Sequence, residues 1–334
     1  MPKASIIIPV YNAEKTIKYC LESILNQTFQ DFEIIVINDG SKDNSQRIIE
    51  SYKKKYPQKF RVYKQENKGV AITRNKGIGY ARGFYLFFID NDDYIDKDYL
   101  EIFIREIQNS KSDMVIGGYK RVDIHKNRVL YSKDTSDNPW VKYMFPICWA
   151  KVYKTSSLKN FKLEFLDINI GEDLYFSVIG NLCLNIAITP YNGYNWVYNK
   201  NSVLNTRINL NNKKVSLISL FDQIYEKIKS VKVSKTEEAL IEYFFIKTAI
   251  YFLLHSGRGT NYEILKNEDR KLFEWIEGKY PQYSKNPNIN PFKPEGEDLF
   301  VRVAIYTYVT LKRMSLENPF LKVYSKLPLN RQGG

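Results

Sequence analysis

Strand-like and helix-like patterns alternate through the first part of the chain. Compact apolar runs predict strands over residues 5–10, 33–37, 60–64 and 84–89. Apolar residues at helical spacing predict helices over 13–26, 43–55 and 71–81, with Ser41 or Asp43 capping the second. This alternation indicates a mainly parallel sheet with helices on both faces.

Polar residues follow three of these predicted strands. They lie at 9–12, 38–40 and 90–93, after the first, second and fourth strands. Ligands of such sheets bind at the carboxyl ends of the strands. We therefore expect the three segments to line one cleft.

The pattern becomes mixed beyond residue 113 and helical beyond about residue 205. Short strands are predicted over 114–118, 119–123, 149–153 and 194–197, with a helix over 173–181. Long amphipathic helices are predicted over 213–231, 235–254, 263–278 and 298–313. We therefore predict an α/β domain over residues 1–205 and a helical C-terminal region over 206–334.

An acidic cluster ends the fourth predicted strand. Residues 86–89 are apolar, and Asp90, Asp92 and Asp93 follow directly. Clustered carboxylates at the end of a buried strand are unfavourable unless a cation or a hydrogen-bonded partner neutralises them. Oxygen ligands of this kind suit Mg²⁺ or Mn²⁺, often an ion that also holds phosphate oxygens. The alternative is an acidic loop in which Asp96 caps the next helix.

The formal net charge of +13 adds a preference for anions. Such a charge attracts nucleic acid, anionic lipid or a phosphate-bearing substrate. The basic run at 53–55 is short, and the other basic residues are scattered. A solvated basic surface accounts for this distribution more simply than a nucleic-acid site does.

Cysteine and histidine usage narrows the chemistry further. Cys20, Cys148 and Cys183 are odd in number and far apart, which argues against a disulfide framework or a zinc site. Two histidines give little support to a histidine metal site or a Ser-His-Asp triad.

Targeting signals are weak. The apolar run near the N-terminus is too short for a signal peptide, and Glu242 and Lys247 interrupt the apolar stretch 239–254. We expect a cytoplasmic protein, with peripheral contact at the inner face of the cell membrane as an open alternative.

Five segments together resemble the family 2 glycosyltransferases with the GT-A nucleotide-sugar fold. The segments are 6–14, 36–43, 67–77, 88–93 and 171–176. Each is weak alone, but their order and spacing are specific. The resemblance covers the N-terminal two thirds of the chain. It implies a Rossmann-like, mainly parallel sheet flanked by helices, here with a helical C-terminal extension.

The resemblance also implies an activity. This is inverting, metal-dependent transfer of a hexose or N-acetylhexosamine from a UDP-sugar, with Mn²⁺ or Mg²⁺ as cofactor. The acceptor would be a hydroxyl of a glycan or of a lipid-diphosphate-linked saccharide, in synthesis of capsule, exopolysaccharide or a similar polymer. Two alternatives stay open, a nucleic-acid-binding module and a GT-A scaffold subunit that has lost catalysis.

The resemblance assigns residues to the donor site. Tyr11 would stack on uracil and Asp39 would accept from its ring N–H, although Asp39 also suits a turn. Arg74 would hydrogen-bond uracil or steady the diphosphate, unless it is a solvated helix residue. Thr73 departs from the small Ala usual there. The further donor-site residues are Pro9, Glu14, Lys68, Gly69, Asp90, Asn91 and Asp92.

Catalytic roles follow from the same resemblance. Asp92 would ligate the metal, with Asp90 near the ribose or the metal's waters, and Asp93 would orient the site. Asp173 would be the base that deprotonates the acceptor hydroxyl, with Glu172 as the second candidate. The alternative for this acidic pair is favourable interaction with the dipole of the helix that it opens.

Aromatic residues supply the remaining candidates. Trp149 and Trp196 suit a sugar-stacking platform for the acceptor or, equally, a buried strand. Tyr198 and Lys200 lie where relatives place residues that close over the diphosphate. The sequence specifies neither the sugar, the linkage nor the oligomeric state.

Overall fold

The computed structural model describes residues 1–135, 138–168, 171–199 and 216–328. The chain divides into two compact units, of which the first comprises residues 1–137 and 145–198. The second comprises residues 138–144 and 199–334. The predicted boundary near residue 205 lies outside the described residues.

Residues 138–144 group with the second unit, whereas the sequence pattern placed them in the α/β domain. The ring of Trp140 packs on Tyr243, with 5.0 Å between the centroids, and its Nε1 donates to Glu297 at 3.2 Å. Trp140 is almost fully buried. Local periodicity does not reveal which core receives a large ring, because that depends on long-range packing.

The strands of the first unit form two sheets. In chain order they are β1 (Ala4–Val10), β2 (Phe32–Asp39), β3 (Phe60–Gln65), β4 (Tyr85–Phe88), β5 (Tyr94–Ile95), β6 (Met114–Ile116), β7 (Tyr119–Asp123), β8 (Arg128–Lys133), β9 (Lys151–Lys154), β10 (Ile186–Ile188) and β11 (Tyr194–Val197). The larger sheet has the order β10-β6-β9-β4-β1-β2-β3, and the smaller has the order β5-β11-β7-β8.

Helices cover the larger sheet and make up the second unit. They are α1 (Ile17–Leu25), α2 (Ser45–Lys55), α3 (Val70–Tyr80), α4 (Tyr99–Ser110), α5 (Val141–Met144), α6 (Thr155–Asn160), α7 (Glu172–Cys183), α8 (Leu217–Lys229), α9 (Lys235–Gly257), α10 (Tyr262–Lys279), α11 (Leu299–Arg313) and α12 (Glu317–Lys326). Helix α5 and helices α8 to α12 belong to the second unit.

The larger sheet is mainly parallel, as predicted. Strand β1 runs parallel to β2 and β4, with Val10 opposite Asn38 and Ile7 opposite Phe88. Strand β9 is the exception and pairs antiparallel with β4 and β6. Every residue of β1 and β2 is buried, as expected for strands covered on both faces. The carboxyl ends of β1, β2 and β4 are therefore neighbours, which confirms their predicted convergence.

Helix α2 begins later than the pattern predicts. Its N-cap is Asn44, one residue after the predicted Asp43 and three residues after the predicted Ser41. The carboxylate of Asp43 instead accepts from the backbone N–H groups of Glu14 at 2.9 Å and Ser45 at 3.0 Å. It thereby joins the loop after β1 to the start of α2, a long-range bond that the sequence does not reveal.

The predicted cap of α4 is also wrong. The N-cap is Asp98, which makes no side-chain capping bond. Asp96 instead pairs with Lys120 of β7 at 2.6 Å and accepts from Asn195 of β11 at 2.7 Å. The capping alternative for the acidic loop therefore loses its support.

Side-chain caps begin four helices of the second unit. Ser216, Ser234, Asn261 and Asp298 each accept from a backbone N–H in the first turn of α8, α9, α10 and α11, respectively. The predicted helices over 235–254, 263–278 and 298–313 are observed close to those bounds. The predicted start at residue 213 lies outside the described residues. Helix α12 was not predicted.

Helix α9 is the one helix in the described ranges that is long and apolar enough to span a membrane. With 23 residues, α9 is longer than the predicted apolar stretch 239–254 and reaches the length that a membrane span requires. Most of its apolar window is nevertheless buried within the protein. Phe245, for example, packs on Phe221 and Trp275. Burial of this kind is typical of a core helix.

Candidate active site

Hydrogen bonds lock together the loops at the ends of β1, β2 and β4. Asn91 Nδ2 donates to the backbone oxygen of Pro9 at 2.9 Å, which ties the end of β4 to β1. Asn12 Oδ1 accepts from the backbone N–H of Lys42 at 2.9 Å, which ties β1 to the loop after β2. The three predicted segments thus form one connected rim of the sheet.

Arg74 lies at the centre of this rim. Its guanidinium donates to Asp90 at 2.8 Å through Nη2 and to Asp173 at 2.6 Å through Nη1, with Glu172 at 3.5 Å. These partners come from the end of β4 and from the first turn of α7. One cation therefore joins Asp90 to the predicted base pair Asp173 and Glu172, a contact that the sequence did not reveal.

Burial makes this ion cluster costly to disrupt. Arg74 is only 3% exposed, which rules out the solvated-helix alternative. Burial alone lowers the pKa of Arg74, but Asp173, Asp90 and Glu172 outweigh it and raise the pKa well above its usual value. Arg74 Nε is buried and has no hydrogen-bond partner among the described residues. The predicted contact between Arg74 and the nucleotide stays a prediction.

Asp173 is the second residue of α7, whose N-cap is Gly171 with a φ of +83° that favours glycine. Burial raises the pKa of Asp173 to about 6, against the opposing effect of Arg74. Glu172 and Asp90 also contribute to this raised pKa, whereas a hydrogen bond with Cys148 opposes it. A carboxyl of this pKa is largely ionised at neutral pH and can accept a proton. As an acidic residue in the first turn of α7, Asp173 also interacts favourably with the dipole of that helix.

Asp92 and Asp93 have different surroundings. Asp93 is buried and accepts from the hydroxyl of Tyr194 at 2.8 Å and the backbone N–H of Val197 at 2.9 Å. In the described part of the chain, the Asp92 side chain makes no hydrogen bond to another residue, and burial followed by the charge of Asp90 raises its pKa to about 6. Asp93 therefore joins β4 to β11, while Asp92 is available to a ligand.

The residues present fit a hard divalent ion shared with a substrate. Among the described residues, no group of three or more His, Cys, Asp or Glu side chains is arranged to hold a metal. Mg²⁺ in particular binds through one or two carboxylates, with phosphate oxygens and water completing its coordination. The partly buried, unpaired carboxylate of Asp92 next to Asp90 meets that requirement.

Asp39 anchors the loop before α3. Its carboxylate accepts from the backbone N–H groups of Lys68 at 2.8 Å and Gly69 at 2.9 Å and from Gln65 Nε2 at 2.7 Å. The turn after β2 is held instead by Asn38, whose Oδ1 accepts from Ser41 N. A carboxylate has about four acceptor sites, so these bonds leave room for the predicted uracil N–H.

Three further predicted residues have clear local roles. Tyr11 is 46% exposed at the end of β1, as a ring that stacks on a base requires. Glu14 Oε2 accepts from the backbone N–H and the Nδ2 of Asn44 at 2.9 Å each, and so caps α2. The Thr73 hydroxyl donates to the Gly69 oxygen at 2.8 Å, which ties the loop to α3.

The structure separates the two candidate tryptophans. Trp149 is buried and stacks on Tyr194 with 4.5 Å between ring centroids, so its interpretation as a sugar platform is wrong. The guanidinium of Arg121 stacks on the ring of Trp196, with Cζ 3.4 Å from the ring centroid. Lys200 lies outside the described residues, whereas Tyr198 follows β11.

Sequence reasoning missed Arg121 and Cys148. A basic residue in the predicted strand 119–123 resembles an ordinary solvated side chain, and a lone cysteine carries no motif. The pairing of β7 with β11 places Arg121 opposite Trp196, and the fold brings Cys148 within hydrogen-bond distance of Asp173. Neither contact can be predicted from the local sequence.

Comparison with known proteins gives a consistent family. Residues 5–168 match the model for Glycosyl transferase family 2. The chain is 36% identical to EpsH of Bacillus subtilis over 190 residues, which are 53% of this chain and 55% of EpsH. It is 31% identical to the poly(ribitol-phosphate) beta-glucosyltransferase of Bacillus spizizenii over 287 residues, 82% of this chain and 44% of that protein. The chain thus spans about half the length of these relatives.

Solved structures share the fold. The crystal structure of S. aureus TarS 1-349 in complex with UDP-GlcNAc is 20% identical and superposes with a TM-score of 0.73, covering 96% of this chain and 91% of that one. The mannosyltransferase PcManGT from Pyrobaculum calidifontis is 13% identical, with a TM-score of 0.54, covering 93% of this chain and 88% of that one. These likenesses identify the GT-A fold. Because the family model matches residues 5–168, from β1 through β9, we conclude that this part of the chain belongs to glycosyl transferase family 2.

Proposed function

We propose that this chain is an inverting, metal-dependent glycosyltransferase that moves a hexose or N-acetylhexosamine from a UDP-sugar to an acceptor hydroxyl. The observation that carries this proposal is the Arg74 cluster. It holds the acidic end of β4 next to Asp173, so one buried cation positions both a donor-side carboxylate and a base. Inverting transfer needs such a base on the acceptor side of the sugar.

Asp173 is the proposed base. Its Oδ1 is fixed by Arg74 at 2.6 Å, which restricts the direction from which its carboxylate can receive a proton. Glu172 lies farther from the guanidinium, at 3.5 Å, and is the second candidate. As the acceptor hydroxyl attacks the anomeric carbon, its proton passes to Asp173 and the bond to the UDP oxygen breaks.

Asp92 and Asp90 would hold Mn²⁺ or Mg²⁺ together with the donor diphosphate. The ion, when bound, stabilises the negative charge that develops on the leaving diphosphate. The protein's contribution is to keep Asp92 unpaired and partly buried, while Arg74 and the nearby Asn91–Pro9 bond hold its loop. TarS has been crystallised with UDP-GlcNAc and PcManGT with GDP-Man and Mn²⁺, which supports this assignment by analogy of fold.

The uridine moiety would bind at Tyr11 and Asp39, next to the loop of Lys68 and Gly69. The exposed ring of Tyr11 offers a stacking surface, and the three hydrogen bonds that Asp39 accepts leave about one acceptor site for the uracil N–H. Pro9, Glu14 and Asn91 would shape this site through the bonds that hold its loops.

The acceptor is proposed to be a glycan or lipid-linked saccharide of cell-surface polysaccharide synthesis. Relatives include the poly(ribitol-phosphate) beta-glucosyltransferase and the minor teichoic acid biosynthesis protein GgaB of Bacillus subtilis, which supports a polymer of this class. The basic surface suits a cytoplasmic protein that contacts anionic lipid at the inner face of the membrane.

The test is a screen of UDP release from each common UDP-sugar, with Mn²⁺ and then with a chelator. We expect release from one UDP-sugar, loss of that release with chelator, and recovery when the metal is restored. If the chelator does not reduce UDP release, the proposed metal dependence is wrong. If calorimetry detects no binding of any uridine nucleotide, the proposed UDP-sugar donor is wrong. Salt-sensitive binding of RNA or DNA would then support the nucleic-acid alternative. UDP-sugar binding without turnover points to the scaffold alternative.

A further inference from the structure

Arg121 forms an unusual pair with Trp196 on the smaller sheet. The two residues lie directly opposite each other on the parallel strands β7 and β11. The guanidinium carbon lies 3.4 Å from the centroid of the indole ring, and Arg121 is only 7% exposed. A stacked guanidinium is held in a fixed plane, with its N–H groups directed outward from the ring edge.

The charge of Arg121 is not neutralised within the described residues. No carboxylate there lies within 4.0 Å of its guanidinium, no hydrogen bond satisfies it, and its Nη1 is buried without a partner. An arginine cannot lose its proton to avoid this cost. A buried donor without an acceptor is rare and unfavourable, so its persistence needs a physical reason.

The surroundings of Arg121 connect it to the candidate active site. Its charge interacts with Tyr131 and Tyr119 and with the carboxylates of Asp93 and Asp92. Asp93 is bonded to β11 through Tyr194 and Val197, which holds the acidic loop beside this strand. Arg121 thus lies near two carboxylates of the acidic loop but outside ion-pair distance of both, so its N–H groups can bind an additional acceptor.

We propose that Arg121, held by Trp196, is a phosphate-binding residue of the active site, a role that rests on the function proposed above. Phosphate oxygens match the planar fork of a guanidinium and supply the acceptors that Arg121 lacks. Two substrates can supply them, the diphosphate of the donor or a phosphodiester of the acceptor polymer. In either case Arg121 recognises the anion, and Trp196 fixes the plane of the fork.

The experiment is calorimetry on the full chain with Mn²⁺, using UDP and then glycerol 3-phosphate with UDP present. Arg121→Gln removes the charge, and Arg121→Lys keeps the charge without the fork. Arg128→Gln on the adjacent strand β8 is the matched control, because it removes the same charge from an exposed position. Thermal unfolding shows whether each variant is folded. If Arg121→Gln does not fold, Arg121→Lys is used for the test in its place.

We expect Arg121→Gln to weaken the binding of one of the two ligands at least about tenfold. Arg121→Lys is expected to weaken the binding of the same ligand less. Arg128→Gln is expected to change neither affinity by more than about twofold. Weaker UDP binding identifies the donor diphosphate as the group that Arg121 binds. Weaker glycerol 3-phosphate binding identifies a phosphodiester of the acceptor instead. Unchanged binding of both ligands by folded Arg121 variants overturns the role of Arg121 but leaves the proposed function intact. Absence of UDP binding by the parent protein overturns both.

Discussion

Arg74 illustrates how much a single residue does in this site. It is buried in the middle of α3 and satisfies carboxylates from β4 and α7 at once. Each partner is partly buried, so each would be costly without the cation. The same residue therefore sustains the local fold and sets the position of the proposed base.

Replacing Arg74 with Met is expected to destabilise the protein by about 3–5 kcal/mol, because three clustered carboxylates lose their counter-charge. Urea unfolding measures this change. Arg105→Met is the control, since Arg105 is exposed and forms one ion pair within the described ranges, with Glu106 at 3.5 Å, so its loss is expected to cost at most about 1 kcal/mol. Equal unfolding midpoints for the two variants contradict the structural role of Arg74.

Asp173→Asn is expected to reduce transfer by about 10²–10⁴-fold, because the amide cannot accept the acceptor's proton. UDP-sugar affinity measured by calorimetry is expected to stay within a few-fold of the parent. Glu172→Gln is the control and is expected to retain most of the activity. If Glu172→Gln is the inactive variant and Asp173→Asn transfers normally, the two roles are exchanged.

The raised pKa of Asp173 makes the rate depend on pH. A base must be deprotonated, and its pKa is about 6, so kcat/KM is expected to rise with pH through about 6 and to level off above 7. Initial rates between pH 5 and 8 measure the profile, and Glu172→Gln is expected to move the rising limb to lower pH, because it removes a charge that raises the pKa of Asp173. A rate that does not fall between pH 7 and pH 5 excludes Asp173 as the titrating base.

At the scale of elements, two side chains fasten the loops of the site to neighbouring strands and helices. Asp39 holds the loop before α3 by two backbone N–H groups, and Asp93 holds β4 to β11. Both residues look like ligands in the sequence, because each follows a buried strand. Their bonds show that clustered acids at strand ends are partly structural.

Tyr194→Phe tests the connection between β4 and β11. It removes the hydroxyl that donates to Asp93 at 2.8 Å, while the ring can still stack on Trp149. We expect a loss of about 1–3 kcal/mol in the free energy of unfolding, since a buried acceptor loses its donor. Tyr131→Phe on β8 removes a hydroxyl from a half-exposed ring and is expected to change stability little. Equal melting temperatures for the two variants contradict this role of Tyr194.

At the scale of the whole molecule, the composition leaves the role of α9 open. Its length and apolar content are compatible with a membrane span, but its packing is that of a core helix. Phe245 is fully buried, whereas Tyr251 on the same helix is 62% exposed. The helix therefore has a solvent-facing side within the second unit.

Phe245→Ala is expected to destabilise the protein by about 3–5 kcal/mol, because it opens a cavity between Phe221 and Trp275. Tyr251→Ala is expected to cost much less, and urea unfolding in detergent-free buffer compares the two. Similar unfolding midpoints for both variants argue against a core role for α9.

The local pattern predicted much of the molecule because its physical causes are local. Buried apolar runs gave the parallel strands, helical spacing gave most helices, and polar residues at 9–12, 38–40 and 90–93 identified the rim of the sheet. Boundaries failed where a distant partner competed, as when Asp96 bonded to Lys120 instead of capping α4. Strand β8 lacked a clear signal because most of its side chains are exposed.

The amino-acid order alone was sufficient for the family resemblance, the α/β architecture and the set of acidic candidates, since these follow from periodicity and motif spacing. Folding in three dimensions added the partners. It brought Arg74 to Asp90 and Asp173, buried Trp149 and stacked Arg121 on Trp196. Those contacts join residues far apart in the chain, and their energies depend on burial and distance, which no local pattern encodes.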